Sequence, residues 1–244
     1  MLMQEKFQTL IQLLFPPRCV NCGALVATDF GLCGTCWHGM SFIGGLVCDK
    51  CGVSLPGEAE TGTEVCDDCL EIERPWNKGR AALLYRDNAR KLVLALKHGD
   101  RHDVAYPAAR WMALAAKPLV KKDALLVPIP LHRRRFFLRK FNQAALLTQA
   151  LAKELSLQSC LDLLERPVVG GTMKDLSMDE RFARMHGAIT VNPKHENLVA
   201  DAKILLVDDV MTTGATLTAA ADALIAHGAK DVNVITLARV AKDA

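Results

Sequence analysis

No stretch of the 244 residues approaches the ~20 consecutive apolar residues that a membrane-spanning helix needs, because Gln, Arg, Lys or Asp interrupts every candidate run. Charge of one sign is equally lacking. Thirty Lys and Arg stand against 27 Asp and Glu, a formal net charge of +3, so polyanion binding must be argued from local clusters and not from bulk charge. No GxxxxGK[ST] segment is present, which removes a P-loop nucleotidase. The opening residues lack the unbroken apolar run and small-residue cleavage site of a secretory signal, since Gln8 and Gln12 interrupt them. The expectation is a cytoplasmic protein with no membrane insertion. Residues 3–14 read instead as a short amphipathic helix, with Phe7, Leu10, Ile11 and Leu14 on one face and Pro16 and Pro17 ending it.

Cysteine is abundant but unevenly spread: eight of nine fall between residues 19 and 69, whereas aliphatic periodicity dominates after about residue 80. Half of the chain is apolar, enough for a substantial core. The segment 71–79, EIERPWNKG, reads as a connector. The expected organisation is an N-terminal helix (1–17), a cysteine module (18–72) and an α/β domain (80–244).

The eight cysteines form four CxxC pairs, Cys19/Cys22, Cys33/Cys36, Cys48/Cys51 and Cys66/Cys69. One CxxC turn aims two thiolates at one tetrahedral ion, and two turns complete a four-sulfur site. In a reducing compartment such thiols bind metal in preference to forming disulfides. Eight ligands imply two structural Zn2+ ions, paired either sequentially or in an interleaved manner. Asp49, Glu58, Glu60, Glu64, Asp67, Asp68, Glu71 and Glu73 face only Lys50 before Arg74, a balance that repels a phosphate backbone. The second ribbon is therefore expected to contact protein or to cover the other domain. Cys160 is expected to be a buried apolar thiol.

After the connector, residues 81–85 read as a strand and 89–97 as a helix capped by Asp87 or Asn88. A helix is expected over 104–116, a buried strand over 124–129 and a helix over 143–155. A strand over 203–207, a helix over 217–227 ended by Gly228 and a strand over 232–237 complete the pattern. This βαβ grammar predicts a mainly parallel sheet with helices on both faces.

Two segments carry chemistry. In 204–216, ILLVDDVMTTGAT, a buried strand runs into two acids, a small-residue turn and a helix start. Such a turn presents backbone N–H groups to a phosphate, Thr212, Thr213 and Thr216 add hydroxyls, and Gly214 permits close approach. Asp208 and Asp209 stand where open α/β sheets bind ligands and can accept hydrogen bonds from sugar hydroxyls. Between residues 128 and 143, Arg133, Arg134, Arg135, Arg139 and Lys140 interleave with Phe136, Phe137 and Phe141 without a single acid. That combination suits a pyrophosphate, or a single nucleic-acid strand whose bases stack on the rings. It is also compatible with a solvated loop.

Residues 207–216, VDDVMTTGAT, resemble the phosphoribosyl pyrophosphate signature of type I phosphoribosyltransferases. The resemblance implies that Asp208 and Asp209 meet the ribose hydroxyls while Val210, Met211, Thr212, Thr213, Gly214, Ala215 and Thr216 wrap the sugar phosphate, with Mg2+ accompanying the pyrophosphate. Purine-salvaging relatives carry an acid where Thr212 stands, which argues against direct hypoxanthine or guanine salvage. Nearly end to end, the chain is similar to the ComF family, which joins a double zinc ribbon to a phosphoribosyltransferase-like domain and is linked to DNA uptake in natural transformation. LLFPPRCVNCG, the paired cysteines, Leu96-Lys97, VPIP, Phe141-Asn142-Gln143 and LSMDER at 176–181 carry the likeness. It implies that Lys97, Arg139, Asn142, Gln143 and Arg181 line the crevice, under a hood formed by 161–191. It also implies single-stranded DNA as a partner, and DNA-uptake or recombination proteins as further ones. Arg139 and Lys140 are the candidate catalytic cations if phosphoribosyl transfer occurs. A metabolic phosphoribosyltransferase and an inert phosphoribosyl pyrophosphate sensor are the competing functions.

Overall fold

The computed structural model describes residues 15–58, 62–98, 101–131, 141–166 and 187–241. The expected helix at 3–14, the cations Arg133, Arg134, Arg135, Arg139 and Lys140 with Phe136 and Phe137, and Arg181 with the LSMDER segment lie outside these residues.

Five strands form one parallel sheet: β1 (Gly79–Leu84), β2 (Leu125–Pro128), β3 (Gln158–Ser159), β6 (Lys203–Met211) and β7 (Asp231–Arg239), in the order β1-β7-β6-β2-β3. A separate antiparallel pair, β4 (Leu164–Glu165) and β5 (Thr190–Val191), sits apart from it. Among the described residues the helices are α1 (Gly34–His38), α2 (Asp67–Glu71), α3 (Asp87–His98), α4 (Ala105–Ala116), α5 (Gln143–Leu155) and α6 (Ala215–Ala226).

The strands are apolar on both sides because both faces are covered. Leu205, Val207, Ile235 and Leu237 pack with Leu92 and Leu96 of α3, Met112 of α4, and Leu147 and Leu151 of α5. Their alternates Ile204, Leu206, Val232 and Val234 pack with Leu217, Ala220 and Leu224 of α6. Single-residue alternation along a strand thus splits the core into two layers. Gly228 follows α6 with φ 87 and donates its N–H to Ile225 O at 2.9 Å, closing the helix as its sequence position suggests.

Several expectations shift at their edges. The strand expected over 203–207 continues to Met211, so both acids belong to the strand and the turn shrinks to residues 212–214. Helix α3 starts at Asp87, which places Asp87 and Asn88 inside it and not before it. Asn88 donates its side-chain amide to Cys36 O at 3.2 Å, tying the helix to the cysteine module.

That module packs on the sheet. Residues 41–43 run antiparallel to the edge strand β1, with Ile43 N donating to Ala82 O at 3.0 Å and Leu84 N to Ser41 O at 2.8 Å. An exposed sheet edge is thereby paired within the chain. On the α6 face, Cys48, Cys51, Cys69 and Trp76 join the same apolar cluster as Val127, Ile204 and Val234.

Candidate functional site

The sheet order places a topological switch point between β2 and β6, since β2 leads outward to β3 and β6 leads the other way to β7. Open α/β sheets bind ligands in the crevice at the carboxyl ends of such strands. A cavity of about 170 Å³ lies there, lined from one side by Ile129, Pro130 and Leu131 after β2 and from the other by Asp208, Asp209 and Val210 of β6. Lys97, Asn142, Gln143, Arg166 and Thr216 complete most of its wall.

Lys97, near the end of α3, reaches Asp209 with Nζ to Oδ1 at 3.1 Å. Asp208 accepts at Oδ1 from the Asp209 N–H at 2.8 Å. Burial, reinforced by repulsion from Asp209, pushes the Asp208 carboxyl up to about 8 from an ordinary value of 3.8. The charges of Lys97 and Arg166 oppose that rise without cancelling it. Two acids held this way can take sugar hydroxyls or a divalent cation, each of which favours the ionised form.

Asn142 and Gln143 fill structural roles at this wall. Asn142 caps α5, accepting from Ala144 N at 3.0 Å while donating to Ile129 O at 3.0 Å. Gln143 is buried and donates to Lys97 O at 3.4 Å. Phe141 meets His102 edge-on at 4.3 Å between ring centroids, which engages one side of the ring expected to stack on bases.

The turn after β6 is built largely of backbone. Thr212 is exposed, whereas Met211, Gly214 and Ala215 are buried and offer main-chain groups. Gly214 sits at φ 84, and a Cβ there would come within 2.8 Å of Arg74 Nη1 and of Met211 Cε. Helix α6 begins at the next residue, where the Ala215 N–H donates to Thr213 Oγ1 at 3.4 Å, and the positive end of its dipole faces the turn.

Two buried arginines hold this turn from behind. Arg74 donates to Thr213 O at 2.7 Å, and Arg239 donates to Thr212 O at 2.7 Å. Arg239 also lies 3.7 Å from an Asp68 carboxylate oxygen in the second ribbon. Arg74, Arg239 and the crevice residue Arg166 were not legible as site residues in the sequence. Arg74 reads as part of a connector, and the only signal for Arg239 is a lone cation ending an apolar strand.

The cysteines gather as Cys19/Cys22/Cys33/Cys36 and Cys48/Cys51/Cys66/Cys69, each with its ligand atoms within 4.8 Å of one another. The grouping is sequential and not interleaved. Cys22 and Cys33 sulfurs lie 3.6 Å apart, as do those of Cys51 and Cys66. A tetrahedral ion with Zn–S bonds near 2.3 Å requires sulfur separations of about 3.8 Å, so both clusters fit zinc. Crowding splits the thiols of the second cluster. Hydrogen bonds from Cys51 and Cys69 push Cys48 far below the ordinary thiol range, while bonding to Cys48 drives Cys69 far above it.

No helix among the described residues is long and apolar enough to cross a membrane. A double zinc ribbon family model matches residues 10–70, and a phosphoribosyl transferase domain model matches residues 143–244. The chain is 28% identical to competence protein F of Haemophilus influenzae over 228 residues, spanning 91% of this chain and 96% of that protein. It is 29% identical over 233 residues to the DNA utilization protein YhgH of Escherichia coli, spanning 93% and 99%. Competence protein ComFC of Bacillus subtilis is 28% identical over 225 residues, spanning 88% and 87%. With a double zinc ribbon match ahead of a phosphoribosyl transferase domain match, and with near full-length similarity to competence and DNA utilization proteins, the chain is similar throughout to the ComF family.

Proposed function

We propose that the crevice between β2 and β6 binds phosphoribosyl pyrophosphate together with Mg2+, and that the protein also binds single-stranded DNA while handling imported DNA in the cytoplasm during natural transformation. The observation that carries the first part is the placing of Asp208 and Asp209 at the switch point, directly ahead of the 212–214 turn and opposite Lys97 and Arg166. In this reading the acids would take the ribose hydroxyls, the turn and the start of α6 would hold the sugar phosphate, and the cations would face the pyrophosphate. Magnesium would neutralise pyrophosphate charge. The names of the relatives, competence and DNA utilization, support the second part.

Calorimetry with phosphoribosyl pyrophosphate and Mg2+ tests the crevice. One site per chain is expected, lost in Asp209→Ala, and absence of heat in the wild type overturns the reading. For DNA, replacing Arg133, Arg134 and Arg135 by Ala is expected to weaken single-strand binding. Three lost phosphate contacts at about 0.7 each lower the log-log salt slope by about 2. An unchanged slope would remove the nucleic-acid site from this segment. Release of pyrophosphate on adding an amine or base acceptor would identify an enzyme, whereas ligand-dependent DNA or partner binding without turnover would identify a sensor.

A further inference from the structure

A third group of metal-type ligands lies away from the ribbons and from the crevice. Cys160 Sγ, Asp162 Oδ1 and a ring nitrogen of His195 fall within 4.8 Å of one another. Asp162 Oδ1 stands 3.1 Å from His195 Nε2 and 3.7 Å from Cys160 Sγ. For a tetrahedral zinc with bonds of about 2.0–2.3 Å to N, O and S, the ligand separations should be about 3.3–3.6 Å. Both distances are within a few tenths of an ångström of that requirement.

The local fold fixes these three side chains from two segments, 160–162 and the turn that holds His195. Cys160 follows the edge strand β3, and its N–H donates to Leu126 O at 3.1 Å, extending the pairing with β2. Asp162 precedes β4, and His195 belongs to the 3-10 turn Pro193–Leu198 after β5. Asn192 joins the two: its side chain donates to Asp162 O at 3.0 Å and accepts from Lys194 N at 3.1 Å, while its carbonyl accepts from His195 N at 2.9 Å. Asp162 and His195 therefore face each other through a built support and not through a chance meeting of long side chains. Access is retained, since the side chains of His195 and Asp162 are 30% and 68% exposed. Cys160 closes the inner side at 9%.

We propose that Cys160, Asp162 and His195 form a third metal site, selective for a borderline divalent cation of the zinc type, with a fourth position open to water. One thiolate, one imidazole and one carboxylate are poor ligands for Mg2+ or Ca2+, which take oxygen, and suit Zn2+ or Co2+. Unlike the two four-sulfur clusters, the donor set leaves a coordination position to solvent, so the ion is exchangeable. Its structural effect follows from where the ligands come from. The ion clips the chain entering β4 to the chain leaving β5.

The test uses the full-length protein with its ribbons loaded with zinc. Titration with Co2+ alone is expected to give one further equivalent per chain, with thiolate-to-cobalt absorption in the near ultraviolet. His195→Ala and Cys160→Ala should each abolish that absorption, and Asp162→Asn should weaken binding at least tenfold. Metal analysis of the wild type in excess zinc should give three ions per chain, against two in His195→Ala. Because the His195 side chain is only partly buried, His195→Ala should lose little Tm when only two zinc ions are present, and should lose the rise in Tm that extra zinc gives the wild type. A wild-type count of two, or cobalt absorption that survives in both His195→Ala and Cys160→Ala, overturns the assignment.

Discussion

Arg74 donates from Nη1 to the carbonyl of Thr213 at 2.7 Å, linking the end of the second zinc ribbon to the turn expected to hold a phosphate. Arg74 is 4% exposed, and its guanidinium favours the thiolate form of Cys69. A zinc ion with four thiolates carries a net charge of −2, so the loaded ribbon supplies the counter-charge that a buried guanidinium needs. One side chain thus connects a structural metal cluster to the backbone of the ligand turn.

Arg74→Ala should therefore weaken phosphoribosyl pyrophosphate binding while leaving the zinc count at the ribbons unchanged. A hydrogen bond from a buried cation is worth about 1.5–3 kcal/mol, so an affinity loss of roughly tenfold to a hundredfold is expected by calorimetry. Arg74→Lys should not restore binding fully, because a point charge lacks the planar fork.

Gly214→Ala should impair the same turn by a different route. At φ 84 the new methyl group is strained, and it would press on Arg74 and Met211. A destabilisation of about 1–2 kcal/mol is expected in denaturant unfolding, together with reduced ligand affinity.

The raised Asp208 carboxyl has a signed consequence. Between its ordinary value of 3.8 and about 8 the folded protein holds a proton that the unfolded chain has released, so this group lowers stability as pH rises through that window. Asp208→Asn should be more stable than the wild type at pH 8, with the difference disappearing below about pH 4. Ligand binding should release a proton and tighten from pH 6 to 9 in the wild type but not in Asp208→Asn. Calorimetry in buffers of different ionisation heat measures both effects.

The two zinc clusters should differ in their importance to the fold. Cys48 and Cys51 are within the apolar layer that also contains Ile204 and Val234, whereas Cys22 is exposed. Cys51→Ser should lower Tm far more than Cys22→Ser, and strong chelation should unfold the sheet domain along with the ribbon. Thermal unfolding combined with metal analysis checks the order.

The sequence by itself determined the α/β grammar and the material of the candidate site. Buried aliphatic runs at 203–207 and 232–237 can only be strands covered on both faces, and four CxxC turns dictate tetrahedral thiolate chemistry whatever surrounds them. Local pattern also located Asp208, Asp209 and the small-residue turn, because a strand, a turn and a helix start are set by neighbours in the chain. Tertiary structure alone decided which distant groups meet. Lys97 faces Asp209 because α3 lies over the same sheet face, Asn142 and Gln143 became scaffolding because α5 needed a cap and a buried first turn, and the cysteine turns paired sequentially. Arg74 and Arg239 reached the ligand turn, and Cys160 reached His195, only after packing had brought together segments far apart in sequence. Periodicity reports the environment of a residue's own element and carries no information about the partner that element will find.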